Sequence, residues 1–174
     1  GIDAAFIECE KQKTMVDGKE VDLGFVGNIT KVKSEVLDHL YKDQWIPVIA
    51  PIGTDSEGNS YNINADTAAA YIAGEMKASR LITMTDIEGI LMDKNDHSSI
   101  IPCIDLKMAD KLFKHEIISG GMIPKVECCI EAIEHGVERV TILDGRVPHA
   151  LLIEMLTDEG AGTMVIKDKS NDKQ

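Results

Sequence analysis

Short runs that are apolar on both faces alternate with longer stretches of helical period, and this alternation narrows the fold more than any other feature of the chain. Ile46 to Ile52, Leu81 to Met84 and Arg139 to Leu143 have the pattern of buried parallel strands, and Thr163 to Ile166 adds a last strand. Pro47 and Pro51 each remove a ladder donor, so part of the first run is expected near an edge or a strand end. Helices are expected from Ala65 to Met76, from Asp105 to Lys114 (burying Leu106, Ala109, Leu112 and Phe113) and from Pro148 to Leu156. A further helix opens with Pro124 as its first residue, buries Val126, Cys129, Ile130 and Ile133, and stops at Gly136. Upstream, Phe6 to Val26 reads as two strands around an Asp17-Gly18 hairpin turn, with the second strand made irregular by Gly24 and Gly27. Ser34 is an expected N-cap for a short helix carrying Val36, Leu37 and Leu40. The expected architecture is α/β: an open, mainly parallel sheet with helices on both faces and an N-terminal β-hairpin, in a single domain over residues 1–174.

Charge and cysteine usage exclude several classes of function. A net charge of -12 argues against a general nucleic-acid surface, which needs clustered Lys and Arg, although a local nucleotide site is compatible with it. No apolar run approaches the ~20 residues of a membrane span. Cys9, Cys103, Cys128 and Cys129 have no C-x-x-C spacing, and His39, His97, His115, His135 and His149 are scattered as surface or helix-end residues. No metal ligand set follows from them.

Open α/β sheets place ligands beyond the carboxyl ends of their strands, and three polar segments fall there: Tyr61 to Asp66, Asp86 to Leu91 and Ile117 to Lys125. In the first, Asn64 is a natural N-cap and Asp66 suits a helix dipole, which explains both as structure; Asn62 has no capping role and could hold a polar ligand. The second, a strand-end Asp followed by a Gly turn, serves equally as a plain loop or as a ribose site. In Ser119 to Lys125 two glycines admit close backbone approach before a helix start, and Lys125 adds its ammonium, an arrangement suited to phosphate. Its structural alternative is a tight loop with a solvated lysine. Neither the G-x-x-x-x-G-K-[ST] nor the G-x-G-x-x-G motif occurs, and there is no G-x-S-x-G elbow.

Tyr61-Asn-Ile-Asn-Ala-Asp66, Thr85-Asp-Ile-Glu-Gly-Ile-Leu91, Gly120-Gly-Met-Ile-Pro-Lys125 and Asp144-Gly-Arg-Val-Pro-His149 follow in this order. Together with Asp22 to Gly27 and Thr157 to Met164 they resemble the N-acetylglutamate kinases of the amino-acid kinase family, most closely the cyanobacterial and plastid branch. The resemblance runs from about Asp22 to Ile166. It implies ATP-dependent phosphorylation of the side-chain carboxylate of N-acetyl-L-glutamate, the second step of arginine biosynthesis, with magnesium accompanying ATP. By the same resemblance Lys125 and Asp66 are catalytic, Asn62 binds acetylglutamate, and Asp86, Ile87, Glu88, Gly89, Ile90 and Leu91 with Ile117, Ile118 and Ser119 bind the nucleotide. It further implies a homo-oligomeric complete enzyme in the cytoplasm or plastid stroma, with arginine and the PII signalling protein as regulators. The family's acceptor-binding N-terminal half, with its glycine-rich loops, has no counterpart in these residues. The chain is therefore expected to be the C-terminal, nucleotide-binding half. The alternatives are a nucleotide-binding or regulatory module without catalysis of its own, and a kinase for another acidic amino acid.

Overall fold

Gly18 has a φ of 75°, the left-handed conformation a tight hairpin turn needs, and it joins two long strands, β1 (Ile7–Val16) and β2 (Lys19–Val32). The computed structural model describes residues 5–16, 18–158 and 160–168, so Asp17 of the expected turn lies outside the described residues. The pairing of β1 with β2 is antiparallel and slips between Lys11 and Lys13, opposite the part of β2 that holds Gly24. The irregularity expected there is present, and β2 runs past Val26 to Val32. Helix α1 (Ser34–Lys42) follows, but Ser34 is its first helical residue and no side chain caps it; Lys33 holds the cap position.

The run from Ile46 to Ile52 corrects the reading of a buried parallel strand. Ile46 and Val48 are 89% and 97% exposed, and only Ile52–Thr54 forms a strand, β3. Pro47 and Pro51 cannot donate to a ladder, which leaves the segment between them without regular pairing. β3 pairs antiparallel with β4 (Ser60–Asn62), β1 pairs parallel with β3, and β2 pairs parallel with β4. The four strands close on themselves in the order β1-β2-β4-β3. Helix α2 (Ala65–Glu75) completes this first unit, which ends at Met76. Phe6, Ile7, Val32 and Leu37 form its core with Tyr71 and Ile72 of α2. The Cys9 thiol is buried, and that burial, reinforced by the Asp55 carboxylate, pushes its pKa up.

The second unit begins at Lys77 and carries the α/β sheet. Its strands are β5 (Arg80–Thr85), β6 (Cys103–Asp105), β7 (Arg139–Asp144) and β8 (Gly162–Ile166), in the order β5-β7-β8-β6. The β5–β7 and β6–β8 pairs are parallel and β7–β8 is antiparallel, so the sheet is mainly parallel, as expected. Its helices are α3 (Leu106–Lys114), α4 (Met122–Glu134) and α5 (Ala150–Leu156). Asp105 caps α3, its carboxylate accepting the Met108 N–H at 2.7 Å. Central β7 is buried on both faces from Val140 to Asp144, with α4 and α5 both packed on it. β5, expected to be buried, is a half-exposed edge strand with Met84 55% exposed, because β7 covers only one of its sides. Two further boundaries move: Pro124 is the third residue of α4 rather than the first, and α5 starts at Ala150, after Pro148.

Candidate functional site

β5 and β7 run in register to Thr85 and Asp144, and the Gly145 N–H donates to the Thr85 carbonyl at 2.7 Å. The loops leaving these two carboxyl ends therefore sit side by side, where an α/β sheet gathers ligands. A cavity of about 380 Å³ opens there. Asp86, Ile87, Glu88, Gly89, Ile90 and Leu91 line it without interruption, joined by Ile117 and Ser119 from the loop before α4, by Met122 at its first residue, and by Lys94, His97 and Arg146. Ile118, between two lining residues, is 2% exposed and belongs to the core. A larger cavity of about 780 Å³ in the same unit lies at the opposite end of β7, around Glu138 and Arg139, away from the strand ends that the site motifs follow.

The charges around the smaller cavity are arranged by geometry. Asp144, 5% exposed at the end of β7, accepts the Arg146 Nε–H at 2.9 Å, the Nη2–H at 2.8 Å and the backbone N–H at 2.9 Å. These bonds from Arg146 hold the Asp144 carboxyl below the usual carboxylate range and push the guanidinium higher. Asp86 and Glu88 add to the stabilisation of the Arg146 cation, so one pinned cation faces two carboxylates at the cavity wall. The Nδ1 of His97 lies 3.0 Å from both carboxylate oxygens of Glu88. Ile87, Leu91, Ile117 and Met122 add apolar lining to these charged groups.

At the start of α4, Gly121 holds the cap position and no side chain caps the helix. The carbonyls of Ser119 and Gly120 accept the N–H groups of Met122 and Ile123 at 3.2 Å each, which tightens the turn into the helix. Lys125 is half-buried in the first turn and does not line the cavity. The remaining expected site residues belong to the first unit. Asn62 is exposed at the end of β4, and Asn64 caps α2, its Oδ1 accepting the Thr67 N–H at 3.1 Å. Asp66 sits in the first turn of α2, where the helix dipole favours a carboxylate.

Reading the residues alone missed Lys94, His97, Met122 and Arg146 as cavity wall. A signal existed for Arg146: an Asp closing a strand with an Arg two residues on lets one carboxylate take both the backbone N–H and the guanidinium. Lys94 and His97 gave none, lying in a polar loop that reads as solvated surface. Among the described residues no group of three or more His, Cys, Asp or Glu could hold a metal ion, and no helix is long and apolar enough to cross a membrane.

Known proteins resemble this chain over nearly its whole length. The chain is 51% identical over 165 residues to the acetylglutamate kinase of Caldicellulosiruptor saccharolyticus, an alignment covering 95% of this chain and 56% of that protein. With the acetylglutamate kinase of Brachyspira hyodysenteriae it shares 52% over 168 residues, 97% of this chain and 57% of that one. The chain thus spans little more than half the length of these relatives. The N-acetylglutamate synthase of Neisseria gonorrhoeae, solved with coenzyme A and L-arginine, superposes with a TM-score of 0.83 at 25% identity, over 94% of this chain and 37% of that one. The carbamate kinase of Giardia lamblia bound to AMP-PNP shares the fold, with a TM-score of 0.60 at 19% identity over 91% of this chain and 52% of that one. The amino acid kinase family model matches residues 1–144, and the chain belongs to that family.

Proposed function

We propose that this chain is the nucleotide-binding half of an acetylglutamate kinase, which transfers the γ-phosphoryl group of ATP to the side-chain carboxylate of N-acetyl-L-glutamate. The observation that carries the reading is the cavity at the carboxyl ends of β5 and β7, whose wall includes all of Asp86 to Leu91 together with Ile117 and Ser119. About half of the residues are shared with acetylglutamate kinases over nearly the whole chain, which supports that acceptor over other acidic amino acids.

In this reading the apolar walls take the base, and Asp86 and Glu88 are placed for ribose hydroxyls. Lys125, on the first turn of α4, stabilises charge on the transferring phosphoryl group. Asn62 holds acetylglutamate, and Asp66 orients the catalytic lysines. The acceptor carboxylate, pKa about 4.3, is already ionised at neutral pH, so no general base is required. Catalysis rests on positioning and on positive charge around the phosphoryl group. Magnesium arrives as part of the ATP-Mg substrate, with phosphate oxygens among its ligands.

The glycine-rich acceptor loops come from the half of the relatives that this chain does not span. The resemblance extends the proposal to a homo-oligomeric complete enzyme regulated by arginine and PII.

Calorimetry with ATP-Mg and a coupled ADP-release assay test the reading. The 174-residue chain should bind ATP-Mg weakly and phosphorylate acetylglutamate no faster than background. Co-expression with the N-terminal half of a relative should restore turnover and improve solubility. ATP binding with no turnover in the reconstituted protein would favour a nucleotide-binding module instead. Robust turnover by the chain alone would overturn the division of labour.

A further inference from the structure

We infer that Thr163 is a positioning residue for the nucleotide loop, its hydroxyl fixing the backbone of Gly89 and Ile90 in the shape that forms the cavity wall. The inference rests on the nucleotide reading of that cavity.

Thr163 is 0% exposed on β8, opposite Ile142 of β7. Its Oγ1 accepts the Ile90 N–H at 2.8 Å and donates to the Ile101 carbonyl at 2.8 Å. The Ile101 N–H in turn donates to the Ile90 carbonyl at 2.8 Å. One hydroxyl thus closes a ring of three bonds that clamps both ends of the excursion from Ile90 to Ile101 onto the sheet. Ile90 is itself 1% exposed, so its N–H has no access to water as a substitute acceptor.

Gly89 is the counterpart of this lock. Its φ of 138° is one that side-chain-bearing residues rarely adopt, and a Cβ there would stand 2.6 Å from Thr163 Oγ1 and 3.1 Å from Ile100 Cδ1. The glycine lets the loop lie directly on the hydroxyl. On this geometry its place in the site is to seat the loop that carries Ile87, Glu88 and Leu91 along the cavity wall. Valine would match the shape of Thr163 but leave the Ile90 donor buried and unsatisfied, forcing the loop to move. Serine would keep the hydroxyl.

The test compares Thr163→Val, Thr163→Ser, Gly89→Ala and the double variant Gly89→Ala with Thr163→Val, all in the full chain. ATP-Mg affinity, melting temperature and hydrogen exchange at the Ile90 amide are measured for each. Thr163→Val should weaken ATP-Mg about tenfold, as expected for one buried donor left unpaired, and should deprotect the Ile90 amide selectively. Thr163→Ser should restore both. Gly89→Ala should weaken binding comparably and add little in the double variant, because both substitutions release the same loop. In a reconstituted enzyme the loss should fall on KM for ATP, with kcat nearly unchanged.

Wild-type affinity in Thr163→Val would overturn the inference while leaving the nucleotide reading intact. Equal losses in the Ser and Val variants, tracking melting temperature, would show a packing role only and overturn it as well. If Thr163→Val does not fold, Gly89→Ala and the Ile90 exchange decide: normal ATP affinity in Gly89→Ala would sink the proposal. Failure of the wild-type chain to bind ATP-Mg would remove the nucleotide reading and this inference together.

Discussion

At the start of α2 the Asn64 side chain fills the place where a helix gathers its unpaired N–H groups, accepting from Thr67 at 3.1 Å. At the start of α4 that place is held by Gly121, and no side chain caps the helix. Both starts follow polar loops, and both carry residues of the family motifs, Asp66 in one and Lys125 in the other. The first start is closed by its own sequence, so a ligand would meet Asn62 and Asp66 on either side of the cap. The second leaves the positive end of a helix next to the cavity wall formed by Ser119 and Met122. Substitutions at the two starts should therefore fail in different ways, one in stability and the other in chemistry.

The largest effect is expected at Lys125. In a complete enzyme Lys125→Ala should lower kcat by at least ~10²-fold, the order found when one electrostatic stabiliser of a transition state is removed. Thermal unfolding should change little, since Lys125 is only half-buried. Near-normal turnover would take Lys125 out of the mechanism and leave the two helix starts functionally alike.

Next comes the pair Asn62 and Asn64. Asn64→Ala should cost ~1 kcal/mol of stability, because the Thr67 N–H loses its acceptor, with little effect on catalysis. Asn62→Ala should raise KM for acetylglutamate and leave the melting temperature nearly unchanged, as Asn62 is exposed at a strand end. Stability lost at Asn62 and binding lost at Asn64 would mean their roles are exchanged.

These contrasts bear on what the sequence made legible. The helices and β7 were readable because each is long enough for its apolar period to repeat, as with Val126, Cys129 and Ile133 on α4. β4 and β6 are three residues each, too short for any period; β4 pairs with its neighbour β3 and at one position with distant Val26, and β6 pairs with distant β8 from Met164 on. Ile46 to Ile52 misled because an apolar run reports that a segment prefers burial, whereas pairing needs donors that Pro47 and Pro51 lack. The cavity wall divides similarly. Asp86 to Leu91 is contiguous and follows a strand end, while Lys94, His97 and Arg146 reach the same wall from separate segments. The buried Thr163 lock is further still from local reading, since it joins positions 73 residues apart.

A smaller effect, present at neutral pH and lost in acid, separates Asp144 from exposed carboxylates. The guanidinium and backbone N–H of Arg146 lower its pKa in the folded chain, below the ~3.9 of an unfolded Asp. A depressed folded pKa contributes stability that is fully present above the unfolded value and is lost as pH falls through the folded one. Asp144→Asn should therefore be less stable than wild type at neutral pH, and the two should converge as pH drops below ~4. Urea melts at several pH values check this. A constant difference across the acid range would mean the Arg146 pair does not set the Asp144 titration.

The smallest effect is expected at a third helix start, where sequence and structure disagree. Ser34 has the residue type of an N-cap, yet it is the first helical residue of α1, and Lys33 precedes it at the cap position with no side-chain bond. A serine inside the helix gains nothing from capping, and alanine has the higher helix propensity by up to ~0.5 kcal/mol. Ser34→Ala should thus be neutral or slightly stabilising, within about 0.5 kcal/mol, where Asn64→Ala loses ~1 kcal/mol. The two variants differ only in whether a side-chain oxygen accepts a first-turn N–H, so side-by-side denaturant melts isolate that bond. A loss at Ser34 equal to that at Asn64 would show that its hydroxyl caps α1 in solution, and that the start of this helix lies one residue later.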